Sequence, residues 1–257
     1  MLIAVDIGNS SINIGYFTDK GLQVLKIKTN PLRKPPEYTA ILNDFMLQNH
    51  IEKKDFSCII SSVVVGHTEV IAGALEGLSE GKSLEVMIVS HRMKSGLTFD
   101  VRAPEEMGAD RIANAAGAYE IFKSPVAVID FGTATTITVV DGRAACIGGS
   151  ILPGLGLMNT MLAKGTSRLK EIGLEAPGTA IGKDTADCIR SGLFYGTAGA
   201  VERILAEIEK EAGCELKVVI TGGFSIVLGK FVRRPHEFSP YLTLEGLKVL
   251  YEKNRNP

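Results

Sequence analysis

Long hydrophobic runs are missing from this 257-residue sequence. No stretch approaches the ~18–20 continuous apolar residues that a membrane-crossing helix needs, so no membrane association is expected. Charge of one sign is missing too: Lys and Arg number 28 against 29 for Asp and Glu. Without a basic excess, neither nucleic acid nor an anionic lipid surface is an expected partner. Cysteine is scarce. Cys58, Cys146, Cys188 and Cys214 are scattered without a CxxC, and His50, His67, His91 and His236 are equally dispersed. That spacing speaks against a structural zinc site and a disulfide framework, and suits a reducing cytosol. The opening MLIAVDIGNSS lacks a cationic lead and meets an acid within six residues. An export signal is therefore not expected, and a cytoplasmic location is.

The composition that remains is that of a chain able to bury a core, with 45% hydrophobic and 22% charged residues. The length suits two similar-sized lobes. Apolar runs at 2–7 and 12–17, separated by Gly, Asn and Ser, predict a β-hairpin. Helices are expected over 39–50 and 68–78, the second with Thr68 as N-cap, and strands over 56–65 and 84–90. A helix over 111–122 precedes a strand, turn and strand over 125–140. A Gly/Pro-rich segment at 148–156 follows, then helices over 157–163, 186–196 and 197–212, with Gly213 as the stop. A strand at 216–220 and a helix at 243–253 close the chain. Strands alternating with helices, plus hairpins, predict an α/β fold with mixed sheets.

The chain repeats its own beginning. AVDIGNSSINIG at 4–15 and VIDFGTATTITV at 128–139 share an apolar-Asp-apolar-Gly stem, a small polar turn and a β-branched strand. Letter by letter, Asp6 matches Asp130, Gly8 matches Gly132 and Ser11 matches Thr135. Two unrelated hairpins are the plain alternative. Two related lobes, each opening with a hairpin and sharing a cleft, are preferred, with boundaries at 1–115 and 116–257.

Two tempting motifs fail on context. GLSEGKS at 77–83 is one residue short of a P-loop and follows a helix instead of a strand. The same letters match GxSxG, which also needs a preceding strand and a following helix. A surface turn is the simpler reading. The turn Asp6, Gly8, Asn9, Ser10, Ser11 has a phosphate logic: glycine admits an anion, and N–H and hydroxyl groups donate to it. A carboxylate beside phosphate calls for a divalent cation between them, so Asp6 points to Mg²⁺, held through water. Asp130, Gly132, Thr133 and Thr135 carry the same equipment. Gly108-Ala109-Asp110-Arg111 has two readings: Asp110 caps a helix starting near Arg111, or it is the base for a substrate hydroxyl, with Arg111 as a fork for a carboxylate.

With these residues in view the sequence resembles the type III pantothenate kinases, within the actin/sugar-kinase/Hsp70-like ATPase superfamily. The blocks that carry the resemblance run almost end to end: DIGNSS at 6–11, GADR at 108–111, DFGTATT at 130–136, GGSILPG at 148–154, GKDT at 182–185, SGLFYG at 191–196, TGG at 221–223 and LTLEGL at 242–247. The resemblance implies two ribonuclease-H-like lobes with mixed sheets flanked by helices. It implies ATP-dependent phosphorylation of pantothenate to 4′-phosphopantothenate, which opens coenzyme A biosynthesis. By matching position, Asp6, Ile7, Gly8, Asn9, Ser10, Ser11, Ile12, Asn13 and Thr133 would hold ATP. Asp110 would accept the proton. Val101, Gly108, Ala109, Asp110 and Arg111 would hold pantothenate, Arg111 on its carboxylate. Asp130 would bind a monovalent cation, K⁺ or NH₄⁺. A homodimer is implied, with Thr185 reaching pantothenate from the neighbouring subunit and the interface in the C-terminal lobe.

The sequence departs from the family at Val101, where a tyrosine is usual nine residues before the base, and at Val65-Gly66-His67, where prolines are usual. A non-catalytic accessory or regulatory protein, or another small-molecule kinase, are the competing readings. Asp6, Asp110, Arg111, Asp130 and Thr133 speak against the first, because a binding-only protein has no need of the base.

Overall fold

The computed structural model describes residues 1–52, 55–81 and 84–255. It begins with the expected hairpin, β1 (Leu2–Ile7) and β2 (Ser11–Thr18), followed by β3 (Gly21–Lys28), α1 (Pro35–Gln48), β4 (Ser57–Ser62), α2 (His67–Leu78) and β5 (Val86–Ile88). These strands form one sheet in the order β3-β2-β1-β4-β5, antiparallel through β3, β2 and β1 and parallel from β1 to β4 and β5. Alternate residues of the hairpin, Ile3, Val5, Ile7, Ile12, Ile14 and Tyr16, pack on Leu42 and Met46 of α1 and on Ile71 and Leu75 of α2. Each such side chain contributes about 1.5–3 kcal/mol by leaving water, which fixes the register, since a one-residue slip would turn the whole set outward.

Helix α1 starts four residues earlier than the sequence suggested. Pro35 occupies the first helical turn, where its missing N–H costs nothing. The Lys34 N–H donates to Glu37 at 2.8 Å, closing that end. Helix α2 likewise starts at His67, after Gly66 in a left-handed conformation (φ 79°), so Thr68 is not its cap.

The chain continues through β6 (Thr98–Phe99), α3 (Ala109–Phe122), the second hairpin β7 (Val126–Phe131) and β8 (Ala134–Val140), then β9 (Ala145–Pro153), α4 (Leu155–Gly165), α5 (Thr185–Ala212), β10 (Lys217–Thr221), α6 (Ser225–Leu228) and β11 (Glu237–Phe238). The second sheet runs β11-β10-β7-β8-β9-β6. With β6 set aside it has the strand order and directions of the first: an antiparallel trio, then parallel neighbours on the far side of its leading strand. Its core joins Ile129, Phe131, Ile137 and Val139 to Leu193, Phe194, Val201 and Leu205 of α5. The Gly/Pro-rich segment is largely β9. Gly149, at φ 154°, passes so close to the Ile137 carbonyl that a Cβ would overlap it. The two helices expected between 186 and 212 are one 28-residue helix, capped by the Asp184 carboxylate on the Asp187 N–H at 2.8 Å and stopped by Gly213 at φ 67°.

The chain ends in α7 (Leu242–Asn254), which lies on β1, β2 and β4 and buries Leu242, Leu244, Leu247 and Leu250 completely. Close packing there depends on Gly246, whose Cα side faces the Ala113 backbone and Gly117 of α3. Two compact units result. The first holds residues 1–97, 102–117 and 242–257, and the second holds 98–101 and 118–241. The division inside α3 falls two residues beyond the expected 115/116 boundary. The simple halves 1–115 and 116–257 are departed from where α7 packs with the first unit and where β6 extends the second sheet. The lookalike motif at 77–83 ends α2, and its last residues, Lys82 and Ser83, lie outside the described residues. Among the described residues, no helix is long and apolar enough to cross a membrane.

Candidate active site

In the first unit, Asp6 sits near the end of β1, directly opposite Asn13 of β2 and in register with Ser61 of β4. Its neighbours Val5 and Ile7 point into the core, so strand alternation sends the carboxylate to the other face. The buried Ser61 hydroxyl donates to Asp6 Oδ1 at 3.2 Å. Beyond Asp6 the chain turns: the Gly8 N–H donates to the Ser11 carbonyl at 3.0 Å, and Asn9 and Ser10 are exposed at the tip. Ile7 and Ile12 face the core and can offer an incoming ligand only backbone groups.

The second unit repeats this with a difference that the letters hide. Asp130 pairs with Thr136, not with a residue matched by simple alignment, and the Gly132 N–H donates to the Ala134 carbonyl at 3.1 Å. The second turn is therefore one residue shorter. Ala134 stands where Ser11 stands, and the match of Ser11 with Thr135 is corrected: Thr135 faces the core, almost fully buried. Thr133 remains in the turn, half-buried. Thr221 of β10 takes the place of Ser61 beside the carboxylate. Gly222, at φ 95°, follows it, and a Cβ there would run into Asp130 Oδ1 and the Phe131 backbone. Sequence reasoning passed over Ser61 and Gly222. The TGG block was visible, but its meaning lies in the pairing of Thr221 with Asp130, far away in the chain.

Gly108-Ala109-Asp110-Arg111 also belongs to the first unit. Helix α3 starts at Ala109, so Asp110 lies inside its first turn and is not the residue before it. The Arg111 N–H donates to Asp110 Oδ1 at 2.8 Å. A Cβ on Gly108 would stand 2.5 Å from that oxygen and 3.6 Å from Cγ1 of Val63. Glycine is thus what leaves room for the carboxylate. Val63 also donates its N–H to the Ile7 carbonyl at 3.1 Å. The first turn and the Asp110 segment therefore meet at one residue. Burial raises the Asp110 carboxyl above the usual carboxylate range, opposed by the Arg111 N–H and by the Arg111 guanidinium. A base that holds its proton more readily than ordinary aspartate is suited to receiving one.

Val101 and Thr185 lie in the second unit. Val101 follows β6 and approaches Gly148 of β9, and Thr185 is the exposed first residue of α5. Among the described residues, no group of three or more His, Cys, Asp and Glu gathers as a metal cage. All four cysteines are free thiols.

The profile of the family described as Type III pantothenate kinase matches residues 2–207. Proteins named Type III pantothenate kinase from Roseiflexus sp. and Moorella thermoacetica are 35% and 32% identical to the chain, over 100% and 99% of it and 100% of their own lengths. Solved structures of similar fold include component A of the (R)-2-hydroxyglutaryl-CoA dehydratase of Acidaminococcus fermentans (TM-score 0.55, 16% identity, 97% of this chain and 96% of that one). The activator of the 2-hydroxyisocaproyl-CoA dehydratase from Clostridium difficile is another (TM-score 0.55, 12% identity, 98% and 95%).

Proposed function

We infer the roles of individual residues from one premise: the chain belongs to the type III pantothenate kinase family. It is a kinase that phosphorylates pantothenate with ATP, a step of coenzyme A biosynthesis. The observation that carries the assignment of parts is the junction at Val63, where the Ile7 carbonyl of the first turn and Gly108 of the Asp110 segment meet. A phosphate held by that turn and a hydroxyl held by that segment would be neighbours.

In this reading residues Asp6 to Asn13 and Thr133 hold ATP. The backbone N–H groups of Asn9, Ser10 and Ser11 and the two serine hydroxyls donate to phosphate oxygens. Pantothenate lies along Gly108, Ala109, Asp110 and Arg111, with Arg111 forking onto its carboxylate. Asp110 takes the proton of the primary alcohol as its oxygen attacks the γ-phosphorus and the bond to the ADP oxygen breaks. Phosphoryl transfer asks mainly for alignment and charge neutralisation, so these few groups suffice. The half-buried Asp6 carboxylate with its Ser61 hydroxyl is a hard-oxygen donor set, which fits Mg²⁺ keeping most of its water. Asp130, whose carboxylate lies against Gly222, is in this reading the oxygen donor for a monovalent cation, K⁺ or NH₄⁺. When bound, these cations supply positive charge against the phosphates.

An assay of ADP release with Mg²⁺, K⁺ and ATP, with and without pantothenate, tests the function. Release is expected to depend on pantothenate. Release without it would indicate another kinase, and silence a binding protein.

We also propose a homodimer joined through the second unit, where α4 presents Leu157 and Met161 one turn apart, 45% and 62% exposed. Thr185 would then serve the partner's pantothenate. Met161→Arg is expected to halve the molecular mass seen by light scattering, and an unchanged mass would place the interface elsewhere.

A further inference from the structure

The first turn is held from behind by a residue that no motif includes. Thr29, fully buried just after β3, donates its N–H to the Ser10 carbonyl at 3.3 Å and its hydroxyl to the Gly8 carbonyl at 2.6 Å. One residue thus ties both arms of the turn. Its own carbonyl faces Nε2 of His67 at 3.2 Å. A carbonyl only accepts, so Nε2 carries the hydrogen in this contact. His67 is itself buried at the start of α2, with Nδ1 3.5 Å from the Val65 carbonyl.

The duplicated unit provides an internal comparison. Register places Gly154 where Thr29 stands, one residue beyond the pair Ala134 and Pro153 as Thr29 is one beyond Ser11 and Lys28. The Gly154 N–H makes the same bond, to the Thr133 carbonyl at 3.1 Å. A side chain is impossible there, because a Cβ would overlap the Gly132 and Thr133 carbonyls. The shorter second turn is pressed directly onto the next strand. The longer first turn stands off, and the gap is spanned by the Thr29 hydroxyl.

We propose that Thr29, braced by His67, is a positioning residue that sets the first turn for ATP. This rests on the reading that the turn holds the ATP phosphates. Neither side chain needs to touch the nucleotide: their effect passes through the Gly8 and Ser10 carbonyls, whose orientation fixes where the neighbouring N–H groups aim.

The test is calorimetric titration of MgATP without pantothenate, together with steady-state kinetics. Thr29→Val keeps the shape and removes the hydroxyl, and Thr29→Ser keeps the hydroxyl. Thr29→Val is expected to weaken MgATP binding about tenfold and to raise the KM for ATP alike, while the KM for pantothenate at saturating ATP stays within about twofold of wild type. Thr29→Ser should restore ATP binding. His67→Ala should weaken ATP binding in the same direction, and His67→Gln, which retains an N–H donor, should recover part of it. Equal MgATP affinity in wild type and Thr29→Val overturns the strut alone. A parallel rise in both KM values, unrescued by serine, also overturns it, since that marks general loosening. If the wild-type chain itself fails to bind MgATP, the reading of the turn falls first, and the strut with it.

Discussion

Asp110→Asn is expected to fold, to melt no lower than wild type at neutral pH, and to turn over pantothenate about 10²–10⁴ times more slowly. The two halves of this expectation have one cause. Burial raises the Asp110 carboxyl, so ionising it in the fold is costlier than in the unfolded chain. A raised folded value means that the native state binds the extra proton. Stability is therefore lost as pH climbs from the unfolded value through the folded one, and the loss is complete above both. Asparagine removes that cost at neutral pH, and the advantage disappears in acid. For turnover the sign is opposite: the base works only when ionised, so the acid limb of kcat/KM, which reports the free enzyme, should lie above the ordinary carboxylate range. Thermal melts and a pH–rate profile check both halves. Near-normal turnover in the variant would remove Asp110 from the proton transfer.

The second large effect is expected at Gly222→Ala. A side chain in this left-handed conformation costs about 1–2 kcal/mol, and crowding against Asp130 and the Phe131 backbone adds about 1–3 kcal/mol. Urea unfolding should thus register a loss of about 2–5 kcal/mol. The more informative readout is ionic. Displacing the Asp130 carboxylate should raise the K⁺ concentration for half-maximal activity by about tenfold or more, a binding loss of about 1.4 kcal/mol. Unaltered K⁺ dependence in a folded variant would detach Asp130 from the cation.

Much of this arrangement is readable in the letters, for physical reasons. The two hairpins announce themselves because buried central strands need unbroken apolar and β-branched residues, and their turns need Gly and small polar residues. Strand β3 is silent by comparison. It is a mostly half-exposed edge strand, and its mixture of Leu22, Gln23, Val24 and Lys26 gives no clean alternation. Strand β9 is masked by Gly148 and Gly149, which suggest a loop, although the close approach to Ile137 demands glycine inside the strand. Helix α5, expected as two helices over 186–196 and 197–212, contains Gly192, Gly196 and Gly199, and tertiary packing of Phe194, Val201 and Leu205 carries it through.

The three acids Asp6, Asp110 and Asp130 stand out in the letters because each lies within two residues of a glycine in a short polar block. Their supports do not. Ser61, Gly222, Thr29 and His67 act through strand register and backbone carbonyls, and no local pattern encodes a bond between residues 29 and 67. The one-residue difference between the two turns was invisible for the same reason, since equal spacing in sequence does not guarantee equal pairing.

The return of α7 to the first sheet sets a timetable for synthesis on the ribosome. Strands β1, β2 and β4 emerge early, but the helix that covers one face of them is made last. At about 5–20 residues per second, that face waits roughly 10–40 s for its cover. The second unit, contiguous from 118 to 241 apart from the short β6 segment, has all its residues before α7 begins. The part of the enzyme that starts first is therefore finished last, and the nascent chain has a built-in interval in which chaperones would find exposed sheet to hold.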